Sequence, residues 1–232
     1  MERVGDRLSI IGTVHVDPAS ASMVRETIAA LKPEVVALEL DQARLVALEN
    51  PKAQRSRGAG LSFLTMALLE KYAGQLTGSA PGTEMLEAVK AAQLAGSKIA
   101  FIDLPIANTA AALKKLPRKE KAKLVIDGLA SLLVLPFSGL NWSKVTEDVG
   151  SQIEAFRKRY PVLSRVLIDS REEYMVRVLK RIIDQTTGQV VAVVGFGHRD
   201  SLARALRGYV PGLTFASGFS GQISTGWLHD RS

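Results

Sequence analysis

The stretch "RLSIIGTVHVDPASASMVRETIAALKPEVVALELD", Arg7 to Asp41, decides the fold class of this chain. Its opening, "RLSIIGTVHV", reads as a strand ending near Gly12. From Asp17 the pattern is that of a helix with a clear start. Asp17 is expected to accept hydrogen bonds from the free amides of the first turn, and Pro18 suits the first helical position, where no N–H is needed. Met23, Val24, Ile28 and Leu31 recur at helical spacing and define an apolar face. Pro33 ends the helix. "EVVALELD", Glu34 to Asp41, follows as a near-continuous apolar run, as expected of a parallel strand buried on both faces.

Working outward, "NPKAQRSRGAG" (Asn50 to Gly60) reads as a loop, "LSFLTMALLEKYA" as a helix and "GSAPGT" as a loop. "EMLEAVKAAQLAG" is a further helix, with Thr83 as its cap, Glu84 and Glu87 in its first turn and Gly96 past its end. "SKIAFID" is a third strand. From Ile106 to about Asp184 the pattern is wholly helical, in four segments separated by Pro117, by Pro136 with Gly139, and by Pro161. "QVVAVVGFGH" returns to the sheet, followed by a helix at "DSLARALRG" and a last strand near "LTFAS". The expected architecture is α/β: a mainly parallel sheet with flanking helices, joined by right-handed crossovers. Residues 1–105 and 186–232 form the core, and 106–185 form an inserted all-helical subdomain within one continuous domain.

Composition narrows the function. With 232 residues, 47% hydrophobic and 23% charged, the chain can bury a sizeable core, and wholesale disorder is not expected. The absence of cysteine removes disulfides, thiolate nucleophiles and cysteine-bound zinc together. The net charge of +7 is concentrated in "KKLPRKEKAK" (Lys114 to Lys123) and in Arg157 to Arg159. Only 6% of residues are aromatic, so base-stacking platforms are hard to build; the basic run reads as a solvated helix face and no nucleic-acid partner is expected. The charged N-terminus lacks the apolar core of a signal peptide, and "LASLLVLPFSGL" is too short to span a bilayer, which makes these residues a soluble domain by expectation.

The chemistry-bearing residues gather at strand ends. In an open parallel sheet, ligands bind in the crevice outside the carboxyl ends of the strands. His15 falls just past the first strand, Glu39 at the end of the second, Asp103 at the end of the third and His198 just past the late strand. Both histidines share the frame Gly-x-x-His with an aspartate two residues further on, Asp17 and Asp200. Gly12, Gly195 and Gly197 allow sharp exits from the strands, and each histidine lies beside a helix N-terminus, whose positive potential favours neutral imidazole, the form that binds metal or takes a proton. Glu39 shares a strand face with Val35 and Ala37, a costly place for a carboxylate unless it is paired, protonated or metal-bound. Asp41 fits a loop residue or helix cap. Arg171 interrupts the apolar stripe Leu163, Leu167, Tyr174, Val178, Ile182, so its guanidinium requires an anionic partner: a structural carboxylate such as Glu39 or Asp103, a substrate, or a developing oxyanion.

At these residues the chain resembles the TraB family, the pheromone-shutdown proteins of the wider Tiki/TraB superfamily. The resemblance rests on "IGTVHV", "KPEVVALELD", "GTEMLEAVKAA" with "FID", "LIDSREEYM" and "VVGFGH", in order over most of the chain. It implies an active site of His15, Glu39, Arg171 and His198 and a metal-dependent, peptidase-like activity using manganese or cobalt; other relatives act as esterases or bind haem. Two positions depart from the pattern: Ser170 stands where relatives often carry an acid, and Leu104-Pro105 where they often carry an arginine. Archaeal relatives often continue into C-terminal membrane helices, so the resemblance allows membrane proximity through such an extension, and a homodimer.

Together these readings predict a hydrolase acting on a peptide or small-molecule substrate. His15, His198 and Glu39 would hold one divalent ion (manganese, cobalt or zinc), with Glu39 and Arg171 catalytic and Asp103, Asp17 and Asp200 supporting the ligands from behind. The alternatives are a metal-free hydrolase with a histidine–glutamate base and a non-enzymatic protein that sequesters a peptide or other ligand.

Overall fold

Four apolar runs and one charged one assemble into the sheet. The computed structural model describes residues 1–13, 18–49, 83–134 and 149–211. Strands β1 (Glu2–Val4), β2 (Leu8–Thr13), β3 (Val35–Leu38), β4 (Lys98–Phe101) and β5 (Val190–Gly195) lie in the spatial order β1-β2-β5-β3-β4. β2, β5, β3 and β4 are mutually parallel; β1 pairs antiparallel with β2 across a turn in which Gly5 has φ +61°. The fold is α/β with a mainly parallel sheet. The β1 hairpin was not legible in "MERVGDR", which has too few apolar residues to show alternation.

The chain passes from β2 through α1 (Pro18–Leu31) to β3, leaving a slot that β5 fills much later in the sequence. β5 is buried throughout, and its alternation splits the core in two. Val191 and Val193 join Ile11, Val36 and Leu38 against α1, α2 (Gln42–Glu49) and α3 (Thr83–Leu94), whose Val24, Ile28, Leu45, Met85 and Ala88 are buried there. Val190, Ala192 and Val194 join Ile10, Val35 and Ala37 on the opposite face. That face is covered by α8 (Ser170–Gln185) and α9 (Phe196–Leu206) through Met175, Val178, Leu179, Ile182, Leu202 and Leu206.

A separate cluster holds the helices between β4 and α8. α4 (Ile106–Lys114), α5 (Arg118–Val134), α6 (Val149–Arg159) and α7 (Pro161–Ser164) precede a π-helical turn, Arg165–Asp169, that runs directly into α8. Leu113, Leu116, Ile153, Phe156, Tyr160, Leu163, Leu167 and Ile168 form this second core. Buried Glu120 ties α5 to α7 by accepting the N–H groups of Val162 (2.9 Å) and Leu163 (2.8 Å), amides that a starting helix leaves free. Within the stretch expected to be wholly helical, α8 thus serves the sheet, while the helices before it share their own core.

Pro18 opens α1 as expected, and Val24 and Ile28 are buried, but Leu31 is exposed at the helix end. Gly96, at φ +68°, follows α3. The helix after β5 begins at Phe196, four residues earlier than the sequence pattern indicated, so His198 lies inside its first turn. The cap at Asp17, the side chain of Thr83, the loop at 50–60, the helix at 61–73, the loop before Thr83, the break at Pro136 and Gly139 and the strand at 213–217 fall outside the described residues. Among the described residues no helix is long and apolar enough to cross a membrane.

Arg7, in the β1–β2 turn, closes the C-terminal end of α8: its guanidinium donates to the carbonyls of Thr186 and, at 3.2 Å, Ile183. These are carbonyls the helix itself cannot satisfy, and a cation is favoured there. Arg7→Ala is expected to lower the unfolding free energy by about 1–2 kcal/mol, read from denaturant midpoints, with an unchanged far-UV spectrum.

Candidate functional site

The parity of β3 decides where its carboxylate goes. The Glu39 N–H still donates to Val193 O at 3.0 Å, so the strand's alternation carries past Leu38 and Glu39 follows Val35 and Ala37 onto the face covered by α8 and α9. Glu39 is 1% exposed. Arg171, in the first turn of α8, donates from Nη2 to Glu39 Oε1, while the Gly195 N–H at the end of β5 donates to Glu39 Oε2 at 2.7 Å. The same guanidinium grips Asp103 in the fork geometry peculiar to arginine, Nε to Oδ1 at 2.9 Å and Nη2 to Oδ2 at 2.8 Å, and Nη1 reaches Leu167 O at 3.3 Å. The π-helical turn sits directly before this arginine, its register marked by the Ser170 N–H bonding Arg165 O.

Asp103 has further partners. The Leu104 N–H donates to Oδ1 at 2.7 Å, and Arg44 of α2 pairs with Oδ2. Arg44 also lies 3.4 Å from Asp41, which caps α2 through the N–H groups of Ala43 (2.8 Å) and Arg44 (3.1 Å) and accepts the Ile106 N–H at 3.1 Å. Burial alone would raise the Asp103 pKa; the Arg171 guanidinium, its hydrogen bonds and Arg44 outweigh it and hold the carboxyl below the ordinary aspartate value. For Arg171, burial works against the charge, and the carboxylates of Asp103 and Glu39 more than restore it, so its pKa is raised.

His198 is fully buried and approaches the same Glu39 oxygen that accepts Arg171. Its Nδ1 lies 2.9 Å from Glu172 Oε1, and Glu172 Oε2 accepts the Ser201 hydroxyl at 2.7 Å, with Arg157 Nη2 at 3.8 Å. Burial pushes the Glu172 carboxyl up, but its bonds to His198 and Ser201 leave it below the ordinary value. His198 Nε2 stands 3.6 Å from Glu39 Oε1 and has no hydrogen-bond partner among the described residues. Gly12 permits this packing: a Cβ there would lie 3.2 Å from Phe196 Cα and 3.1 Å from Arg199 Cδ, in the first turn of α9.

The family model for TraB/PrgY/gumN matches residues 1–201. The chain belongs to the TraB/PrgY/gumN family. It is 31% identical to an uncharacterized protein of Methanocaldococcus jannaschii over 85% of this chain and 53% of that protein. It is 28% identical to TraB domain-containing proteins of Mus musculus and Bos taurus, in each case over 84% of this chain and 61% of the relative. The chain therefore spans between half and two thirds of the length of these relatives.

Of the residues singled out in the TraB-like motifs, the fold brings Glu39, Asp103, Arg171 and His198 into one buried cluster. His15 and Asp17 lie outside the described residues. Asp200 is exposed and pairs with Arg199, because two residues along a helix turn a side chain to the far side from His198. The carboxylate on His198 is Glu172 rather than Asp103 or Asp200. Glu172 was missed although a signal existed: with Met175, Leu179 and Ile183 it forms a second stripe at helical spacing. Arg44 offered no such signal, since its partner Asp103 is far away in sequence. Among the described residues no group of three histidine or acidic side chains is arranged to hold a metal ion.

Removing Arg171 would strand two buried carboxylates. Arg171→Met is expected to cost about 3–5 kcal/mol of stability, by chemical denaturation. Because the Asp103 pKa is lowered on folding, its contribution is fully present above the ordinary aspartate value and is lost as pH falls through the lowered folded value. Asp103→Asn should therefore be less stable at neutral pH and show a shallower decline of stability on acidification below about pH 4.

Proposed function

We propose that this TraB-family chain is a divalent-metal-dependent hydrolase, peptidase-like in acting on an amide of a peptide or small molecule. The observation that carries the reading is His198 Nε2: a fully buried ring nitrogen without a hydrogen-bond partner among the described residues, 3.6 Å from a buried carboxylate oxygen. Such an atom is costly unless something binds it. The charge balance points the same way. The four carboxylates of Glu39, Asp41, Asp103 and Glu172 outnumber the buried guanidinium of Arg171, the half-buried one of Arg44 and that of Arg157 at the more exposed rim, so a further cation would be welcome.

The donor types fit. His198 Nε2 and Glu39 Oε1, with His15 supplied by the segment after β2, would hold the ion, an imidazole and carboxylate set that accepts manganese, cobalt or zinc. When bound, such an ion supplies Lewis acidity and lowers the pKa of its water. Glu39 is fixed by Arg171 and by the Gly195 N–H, so its Oε1 is held toward His198, where it would ligate the ion or, with no ion on that oxygen, act as the base that takes a proton from the attacking water. Arg171 has one N–H, on Nη1, not engaged by Glu39, Asp103 or Leu167; its main action is to orient Glu39, with that last donor available to an oxyanion.

The 3.6 Å separation also suits a second reading, a metal-free His198–Glu39 pair acting as the base. Reconstitution with manganese, cobalt or zinc is expected to give one bound ion per chain. His198→Ala, Glu39→Gln and His15→Ala should each lower affinity about a hundredfold or more, and chelator should abolish peptide hydrolysis. Hydrolysis that survives chelation supports the metal-free pair; capture of an intact ligand without product, by mass spectrometry, would replace both with sequestration.

A further inference from the structure

His198 has two ring nitrogens in contrasting settings, and one neighbouring carboxylate decides between them. Nδ1 faces Glu172 Oε1 at 2.9 Å, whereas Nε2 faces Glu39 Oε1 at 3.6 Å, beyond hydrogen-bond range. A carboxylate that stays ionised only accepts, so the ring must donate from Nδ1. Glu172 is itself anchored: its second oxygen takes the Ser201 hydroxyl at 2.7 Å, and Arg157 stands 3.8 Å away. Ser201 is three residues after His198 on α9, so the ring and the group steadying its partner project from one helical face.

We propose that Glu172, steadied by Ser201, is a positioning residue that fixes His198 as the Nδ1–H tautomer and aims a bare Nε2 lone pair at the space beside Glu39. Without it, the ring would gain by protonating Nε2 toward Glu39 Oε1, which removes the lone pair from the site. The consequence for ion affinity rests on the hydrolase reading above; the tautomer does not. A carboxylate behind an imidazole also raises its basicity as a ligand, so the same contact strengthens any cation held at Nε2.

The test uses the full chain without added metal, at about pH 8, above the ordinary imidazole pKa. Long-range 1H–15N correlation spectra report the tautomer of His198; the other histidines, His15 and His229, are assigned by substitution. The wild-type ring is expected to show the Nδ1–H pattern. Glu172→Ala should shift it toward Nε2–H, and Glu172→Gln, whose amide oxygen still accepts, should restore Nδ1–H, a rescue that a purely space-filling role would not give. In parallel, cobalt(II) titration should show affinity reduced about ten- to a hundredfold in Glu172→Ala and largely recovered in Glu172→Gln. A wild-type ring protonated at Nε2, or an unchanged tautomer in Glu172→Ala, overturns the proposal; the wild-type spectrum decides even if the alanine variant does not fold. The expected tautomers without cobalt binding to the wild type would uphold the role of Glu172 and discard the metal.

Discussion

The Arg171 guanidinium is the interaction on which the site depends. One planar group from α8 holds Glu39 after β3 and Asp103 after β4, joining a helix to the ends of two strands. Burying an arginine and two carboxylates is favourable only when nearly every donor and acceptor is matched, and here they are: Gly195 and Leu104 supply backbone N–H groups, and Arg44 a second guanidinium. The network is rigid for that reason, and rigidity is what a site needs to hold Glu39 beside His198.

The sheet order explains why these groups meet. β5 enters last between β2 and β3, so the residues after it are delivered next to Glu39 rather than to an edge of the sheet. Its Gly195 N–H becomes a ligand for Glu39, and α9, starting immediately, brings His198 over the same spot. Gly12 leaves room on β2 for the first turn of α9. The π-helical turn lies where the long helix passes from its own apolar cluster to the face of the sheet, and Arg171 stands just beyond that passage. Such turns change the direction of a helix's buried face, which a uniform helical period does not capture.

Much of this was legible one segment at a time. Apolar runs gave the parallel strands, Pro18 marked a helix start where it is seen, and Asp41, which fitted either a loop residue or a helix cap, is a cap. A carboxylate after "VVAL" and an arginine inside an apolar stripe stood out because each is costly alone, and the cost implied a partner. Glu39 and Asp103 were each named as alternative partners of Arg171; that it holds both is decided by the fold. Arg44 was not legible as a site residue, since a charged side chain on a helix is ordinary until its surroundings are known; Glu172 stood on an apolar stripe at helical spacing, but nothing local pointed to His198 as its partner.

The sequence by itself determined the alternation of strands and helices, the parity that turns Glu39 toward one face, and the identity of the groups too expensive to bury unpaired. Those are properties of neighbours along the chain: periodicity, capping and desolvation act locally. Tertiary structure alone decided that β5 lies between β2 and β3, that α8 rather than the helices before it covers the sheet, and that Glu172 instead of Asp103 or Asp200 faces His198. Each of these is a choice among partners distant in sequence, settled by which faces can be buried together, and no local pattern encodes it.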